Sequence, residues 1–248
     1  MFFKQSNTLF NNRKGVILLE SIAFIPDGNR RYAKQAGISL AQSYSLGTQK
    51  ALDVVKWLSK YPNIKAGTFY TFSLKNFERS KMELDILFRI FEEQLDKAKK
   101  SSLFEENGVS LKFIGRREMF PQKLQEKMNS VEEYTSNFKN CQINLALGYD
   151  GQTEIVDAAQ KFALDVQQGK AKPEDLSTGN FSKYLYADFK APDLIVRTSN
   201  EHRLSGFLTY QSSYSEFAFI DKYWPAVSEQ DVDSVVLAFD QRERRFGK

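Results

Sequence analysis

The sequence predicts an α/β fold: a single domain with a mostly parallel central sheet flanked by helices. Three observations predict it. Short apolar, β-branched or aromatic runs alternate with longer segments of helical periodicity. No repeat, linker-like or low-complexity stretch divides the 248 residues. Hydrophobic residues make up 42% and charged residues 27%, a balance that suits one sizeable core.

The elements follow in order. Residues 22–26 read as a buried strand, and the polar run Asp27-Gly28-Asn29-Arg30-Arg31 leads from it into a helix. A helix is expected over 43–61, from Leu46, Ala51, Val54, Val55 and Leu58, and a strand over 66–72. A long helix over 80–106 sets Leu84, Leu87, Phe88, Phe91 and Leu95 on one face. Strand 109–114, helix 121–138 and strand 143–147 come next, then helix 151–168, with Asp150 or Thr153 as its cap. Strands 194–198 and 217–220 precede a closing helix over 228–246. Residues 1–20 form an N-terminal extension and 21–248 the domain proper.

Composition removes several classes of function. One cysteine, Cys141, excludes an internal disulfide framework, and one histidine, His202, excludes a histidine-cluster metal site. The net charge of +4 comes without a Lys/Arg block, which argues against nucleic acid and fits an anionic ligand. No stretch reaches the roughly 18 apolar residues of a membrane span, and residues 1–14 do not read as a secretion signal. The expectation is a cytoplasmic protein with at most a peripheral membrane contact.

Parallel sheets bind ligands beyond the carboxyl ends of their strands. Three Arg-bearing loops fall there: 27–31, 73–80 and 197–205. In the first, Gly28 lets backbone approach a ligand, helix-start N–H groups with Arg30 and Arg31 suit a diphosphate, and Asp27 suits a Mg²⁺ bridging its oxygens. Read alone, the same residues also make a capped helix start with solvated arginines. In the third, Arg197, Arg203 and Ser205 make a second anion pocket, or else a surface loop with ordinary ion pairs. Glu216 reads either as a further metal carboxylate or as a surface acid at a strand edge.

Together these segments resemble the cis-prenyltransferase family, which includes undecaprenyl diphosphate synthase. The resemblance runs from about Ser21 to Gly247. It rests on IAFIPDGNRRYAK at 22–34, FSLKNFERSKME at 72–83, DLIVRTSNEHRLSGFLTYQ at 193–211, YSEF at 214–217, Trp224-Pro225 and the terminal Arg244-Arg245-Phe246-Gly247. It implies a Mg²⁺-dependent transferase of isoprenoid diphosphates. Asp27 would be the catalytic metal carboxylate, and Gly28, Asn29, Arg30 and Arg31 the donor-diphosphate cradle. Ser73, Asn76 and Arg79 would lie on a loop that orders over the donor and helps ionise it. Arg197, Arg203 and Ser205 would hold the acceptor diphosphate, with Glu216 as its metal ligand. Arg245 and Gly247 would reach into a neighbouring subunit's site, so the resemblance implies a homodimer. It also implies a hydrophobic tunnel lined by Leu84, Leu87, Phe88 and Phe91, a face that periodicity alone makes a core stripe.

The chain departs from the main branch of the family at Ser21 (usually His), Pro26 (Met), Leu40 (Arg), Tyr44 (His) and Lys75 (Glu). A minority branch, the lavandulyl- and cyclolavandulyl-type diphosphate synthases, shares much of that pattern. This chain keeps Asn29 and Glu201, where that branch can differ. The resemblance thus leans to irregular or short-chain products, with regular cis elongation to a polyprenyl diphosphate as the alternative. A non-catalytic partner subunit is a further alternative. Such subunits typically lack the first aspartate or other donor-site residues, whereas Asp27, Arg31, Asn76, Arg79, Arg203 and Glu216 are all present.

Overall fold

A computed structural model describes residues 18–241. Six strands form one parallel sheet in the order β3-β4-β2-β1-β5-β6. They are β1 (Ser21–Ile25), β2 (Ala66–Ser73), β3 (Val109–Ile114), β4 (Cys141–Tyr149), β5 (Leu194–Thr198) and β6 (Glu216–Ile220). The helices are α1 (Asn29–Ala36), α2 (Leu40–Leu58), α3 (Lys81–Ala98), α4 (Leu103–Glu106), α5 (Gln122–Thr135), α6 (Gly151–Gln167) and α7 (Glu229–Asp240). Every residue of β1 and of β5 is buried, as central parallel strands covered on both faces must be.

The two faces of the sheet carry separate cores. Phe24, Phe69, Phe72, Leu111, Ile143 and Val196 meet the larger one, with Val54, Val55, Leu87, Leu124 and Val232 of the covering helices. Ala23, Ile25, Tyr149, Ile195, Phe207 and Leu208 form the smaller one. On that side α6 is anchored by Glu154, which accepts from Tyr149 Oη (2.5 Å), Gln211 Nε2 (3.0 Å) and the Tyr186 N–H (3.1 Å).

Helix boundaries differ from expectation for local reasons. Helix α2 begins at Leu40, not 43, because Ser39 and Gln42 form a reciprocal capping box. The expected long helix over 80–106 is two helices. After Lys97, Lys99 and Lys100 the chain turns at Ser101, whose Oγ accepts from the Leu103 N–H (3.2 Å), and α4 buries Phe104. Asp150, not Thr153, caps α6 by accepting from the Thr153 N–H (2.9 Å). No described helix is long and apolar enough to cross a membrane.

Candidate functional site

The sheet pairs β1 with β2 on one side and β5 on the other, so the loops after β1 and β5 leave the sheet side by side. Such a divergence is where an open α/β sheet has its crevice. The backbone of Asp27 is fixed by β5. Thr198 Oγ1 accepts from the Asp27 N–H (2.8 Å), and the Asp27 carbonyl accepts from Thr198 Oγ1, Ser199 Oγ and the Trp224 N–H at 2.8, 2.8 and 2.9 Å. Gly28 follows at φ 102°, where a Cβ would stand 2.1 Å from Ser199 Oγ, so only glycine fits. Helix α1 has no side-chain cap. Asp27 is therefore not the helix cap that its position allows, and its carboxylate faces β5 instead.

That carboxylate receives Arg197 Nη2 (2.8 Å) on one oxygen and Arg31 Nη2 (3.2 Å) on the other. Burial raises its pKa, but the Arg197 hydrogen bond and the charges of Arg197 and Arg31 outweigh this. The group stays ionised below the usual carboxylate range. Arg197 is 4% exposed, a guanidinium inside the protein. Its Nη1 donates to Ser205 Oγ (2.8 Å) and to the Arg203 carbonyl, while its buried Nε has no partner. Arg31 Nη1 donates to Glu201 (2.9 Å), which also pairs with Arg203. Three guanidinium groups thus meet two carboxylates, and the surplus positive charge with an unfilled buried donor favours an anion. Ser199, Asn200, Ser205 and Leu208 all have φ between 46° and 75°, a run of left-handed backbone in one loop. Strain of this kind clusters at binding sites.

The loop after β2 closes a second side. Register shifts against β4 at Tyr70/Phe72 and Phe72/Ser73 bend the end of the strand, as bulges beside active sites do. Ser73 N–H donates to Asn76 Oδ1 (3.0 Å), tightening a 3₁₀ turn over Leu74–Glu78 that delivers Arg79. Arg79 meets Tyr44 and Glu83, both buried. Gly47 of α2 lies against Asn29, where a Cβ would be 2.2 Å from Asn29 Oδ1, and its carbonyl accepts from Trp224 Nε1 (2.7 Å).

Beneath these groups a cavity of about 320 Å³ runs between the sheet and helices α2 and α3. Asp27, Asn29, Ser73, Asn76, Arg79, Arg197 and Ser205 line its polar mouth. Ala51, Leu52 and Val55 of α2, Leu87, Phe91, Leu95 and Ala98 of α3, and Phe104, Met128 and Ile143 line its apolar shaft. Of the four residues expected on a tunnel wall, Leu87 and Phe91 line it. Leu84 and Phe88 do not. Phe88 instead packs among Phe72, Phe77 and Phe120 at ring-centroid distances of 5.5 to 6.4 Å, and Leu84 packs against the core.

Other expected residues are not brought to the cavity. Arg30 is exposed on α1, and Arg203 stands outside the cavity, tied to it through Glu201. Glu216 opens β6 in register with Leu194, whereas Ile25, just before Asp27, is level with Arg197 and Phe219. Glu216 thus lies three residues, roughly 10 Å, behind that level. Within one chain Asp27 and Glu216 do not meet, because Asp27 follows the carboxyl end of β1 while Glu216 opens the amino end of β6, at the opposite edge of the parallel sheet. Among the described residues no three His, Cys, Asp or Glu side chains converge. Arg245 and Gly247 lie outside the described residues. Conversely, Thr198, Ser199, Glu83 and Gly47 build the site without standing out in the sequence. Only the first two, beside Arg197, had a positional signal.

Comparison with known proteins shows the family and the fold. A family profile described as "Putative undecaprenyl diphosphate synthase" matches residues 25–247. The tritrans,polycis-undecaprenyl-diphosphate synthase (geranylgeranyl-diphosphate specific) of Thermoplasma acidophilum is 41% identical over 228 residues, covering 92% of this chain and 88% of that protein. The protein of the same name from Pyrobaculum aerophilum is 39% identical, covering 92% and 95%. Among solved structures, lavandulyl diphosphate synthase from Lavandula x intermedia, in complex with dimethylallyl diphosphate, superposes with a TM-score of 0.88. It shows 31% identity over 93% of this chain and 98% of that one. A probable undecaprenyl diphosphate synthase from Campylobacter jejuni gives a TM-score of 0.76 and 30% identity, over 93% and 99%.

Proposed function

Because this chain belongs to the cis-prenyltransferase (undecaprenyl diphosphate synthase) family and is a prenyltransferase acting on isoprenyl diphosphates, we propose that it performs regular cis elongation. It adds isopentenyl diphosphate repeatedly to an allylic starter, with geranylgeranyl diphosphate the first candidate. The observation that carries this reading is the apolar shaft opening directly under the Asp27–Arg197 mouth, which gives a growing chain somewhere to go. The names of the relatives from Thermoplasma and Pyrobaculum support the same starter and direction.

The reaction breaks an allylic C–O bond and leaves an allylic cation and a diphosphate. The acceptor alkene then bonds to the cation and a proton is lost. Arg79, which lines the cavity mouth, would meet the negative charge developing on the leaving diphosphate, and preorganised charge of that kind is the strongest lever available. Arg197, Ser205 and Arg203 would hold the acceptor's diphosphate, which supplies proximity. Asp27 fits a Mg²⁺ carried in with a diphosphate. Its side chain is 29% exposed, each oxygen takes one guanidinium bond, and Mg²⁺ favours one or two carboxylates plus phosphate oxygens. When bound, the ion would neutralise charge on the diphosphate.

We also assign a homodimer. Phe217 and Phe219 are 37% and 40% exposed on one face of the edge strand β6, a surface that suits a second copy. Glu216 would act in a metal site only if such a copy brought one to it. The enzyme would work in the cytoplasm, at most touching a membrane surface.

A second reading, irregular coupling of two allylic diphosphates, is favoured by Pro26, Leu40 and Tyr44 and by the fit to lavandulyl diphosphate synthase. Incubation with isopentenyl, dimethylallyl, farnesyl and geranylgeranyl diphosphates, followed by mass spectrometry, separates the two. A five-carbon ladder supports elongation, and a branched product from dimethylallyl diphosphate alone overturns it.

A further inference from the structure

Arg79 reaches the cavity with one arm already held. Its Nη1 donates to Tyr44 Oη and to Glu83 Oε1, each at 3.1 Å. Tyr44 Oη donates to the same Glu83 oxygen at 2.6 Å. The three groups form a closed triangle joining α2, the 3₁₀ turn and the first turn of α3. Tyr44 and Glu83 are 8% and 7% exposed, and among the described residues neither side chain makes a hydrogen bond to a side chain outside this set. Nη2 and Nε of Arg79 make no hydrogen bond to a described residue, and Arg79, Tyr44 and Asp27 line the same cavity mouth.

A guanidinium recognises phosphate oxygens as a planar fork. Fixing one nitrogen sets the plane in which the other two point. A buried carboxylate alone would pull Arg79 back towards α3. A hydroxyl that gives its proton to that carboxylate while accepting from the arginine shares the load and holds both. Resting on the assignment of this mouth as a diphosphate site, we propose that Tyr44 and Glu83 are positioning residues. They aim the free edge of Arg79 at the allylic diphosphate, and Tyr44 does so without itself touching substrate. A different side chain at position 44 would then set donor affinity through Arg79 rather than through a contact of its own.

The test is a double-mutant cycle on the full-length protein. Tyr44→Phe keeps the ring and removes only the hydroxyl. It is expected to raise the KM for the allylic donor about tenfold, the size expected for losing one hydrogen bond to a charged group. The KM for isopentenyl diphosphate should not change. In an Arg79→Ala background the same change should cost nothing further. Glu83→Gln, which keeps an acceptor oxygen, should fall between wild type and Glu83→Ala, and it runs the same cycle should Tyr44→Phe fail to fold. Equal losses with and without Arg79 would overturn the proposal, since Tyr44 would then bind substrate directly. So would an unchanged donor KM. Calorimetric binding of inorganic diphosphate repeats the cycle without turnover. A protein that couples Tyr44 to Arg79 in that assay but forms no product would contradict the elongation reading and leave this one standing.

Discussion

The mouth and the shaft of the cavity are built in opposite ways. At the mouth, charged side chains come from three loops, the segment after β5 is left-handed at four non-glycine positions, and one buried donor, Arg197 Nε, and one buried acceptor, Asn29 Oδ1, lack a partner. In the shaft, the walls are mostly apolar side chains of helices and strands, continuous with the core. The difference separates two tasks. On the reading proposed above, the mouth would hold a leaving diphosphate in one geometry, and hydrogen bonds fix its side chains accordingly. On the same reading the shaft would admit a featureless hydrocarbon, so its shape is set by side-chain volume. Substitutions at the mouth should therefore change rate, and substitutions in the shaft should change product.

The largest effect expected is at Asp27. Asp27→Ala should lower turnover by roughly 10²–10³-fold or more, on the scale of losing one preorganised electrostatic contact. The fold should persist, because β1 is tied to β5 through the Asp27 backbone and not its carboxylate. Steady-state kinetics with far-UV circular dichroism checks both halves. In the shaft, Ala98→Phe should leave the first condensation intact and shorten the product ladder seen by mass spectrometry. Phe88→Ala, off the shaft, should leave the ladder alone and lower stability by about 3 kcal/mol or somewhat less, since Phe88 is only partly buried. A Phe88→Ala product shift would erase the distinction between wall and core.

Gly47→Ala sits where the two regions meet. Its Cβ would press on Asn29 Oδ1, so about 1–3 kcal/mol of stability should be lost, together with donor affinity, as read by thermal melting and donor KM. The smallest effect concerns pH. Asp27 has a folded-state pKa below its ordinary 3.8, so its ion pairs stabilise the protein fully above that value. That contribution is lost only as pH falls from about 3.8 through the lower folded value. An acid limb in the activity profile at higher pH should thus survive unchanged in any variant that perturbs Asp27 alone.

The same contrast explains what the sequence made legible. The six strands and the three Arg-bearing loops could be read because central parallel strands are continuous apolar runs and the polar segments follow them at once. Asp27, Asn76, Arg79, Arg197 and Ser205 therefore fell together as expected. The start of α2 was also readable, as the capping pair Ser39 and Gln42, but the apolar periodicity pointed to 43. The shaft was harder. Helical spacing puts Leu84, Leu87, Phe88 and Phe91 on one stripe, yet a stripe about 100° wide reaches both the cavity and the Phe72–Phe77–Phe120 cluster. Nothing local says which residue meets which. Nothing in the local sequence marks Glu83 as buried. Its burial depends on Tyr44, 39 residues earlier in the chain. Glu216 opens its strand and does not follow one, so the parallel direction of β6 puts it at the far edge of the sheet from Asp27.

The claim that joins mouth and shaft is stepwise growth of one chain. It is tested most directly by mass spectrometry of the products made by the purified protein from geranylgeranyl and isopentenyl diphosphates with Mg²⁺. The expected result is a series of diphosphates rising in five-carbon steps from the starter, ending sooner in Ala98→Phe than in wild type. A single branched ten-carbon product, formed from dimethylallyl diphosphate with isopentenyl diphosphate ignored, would contradict it.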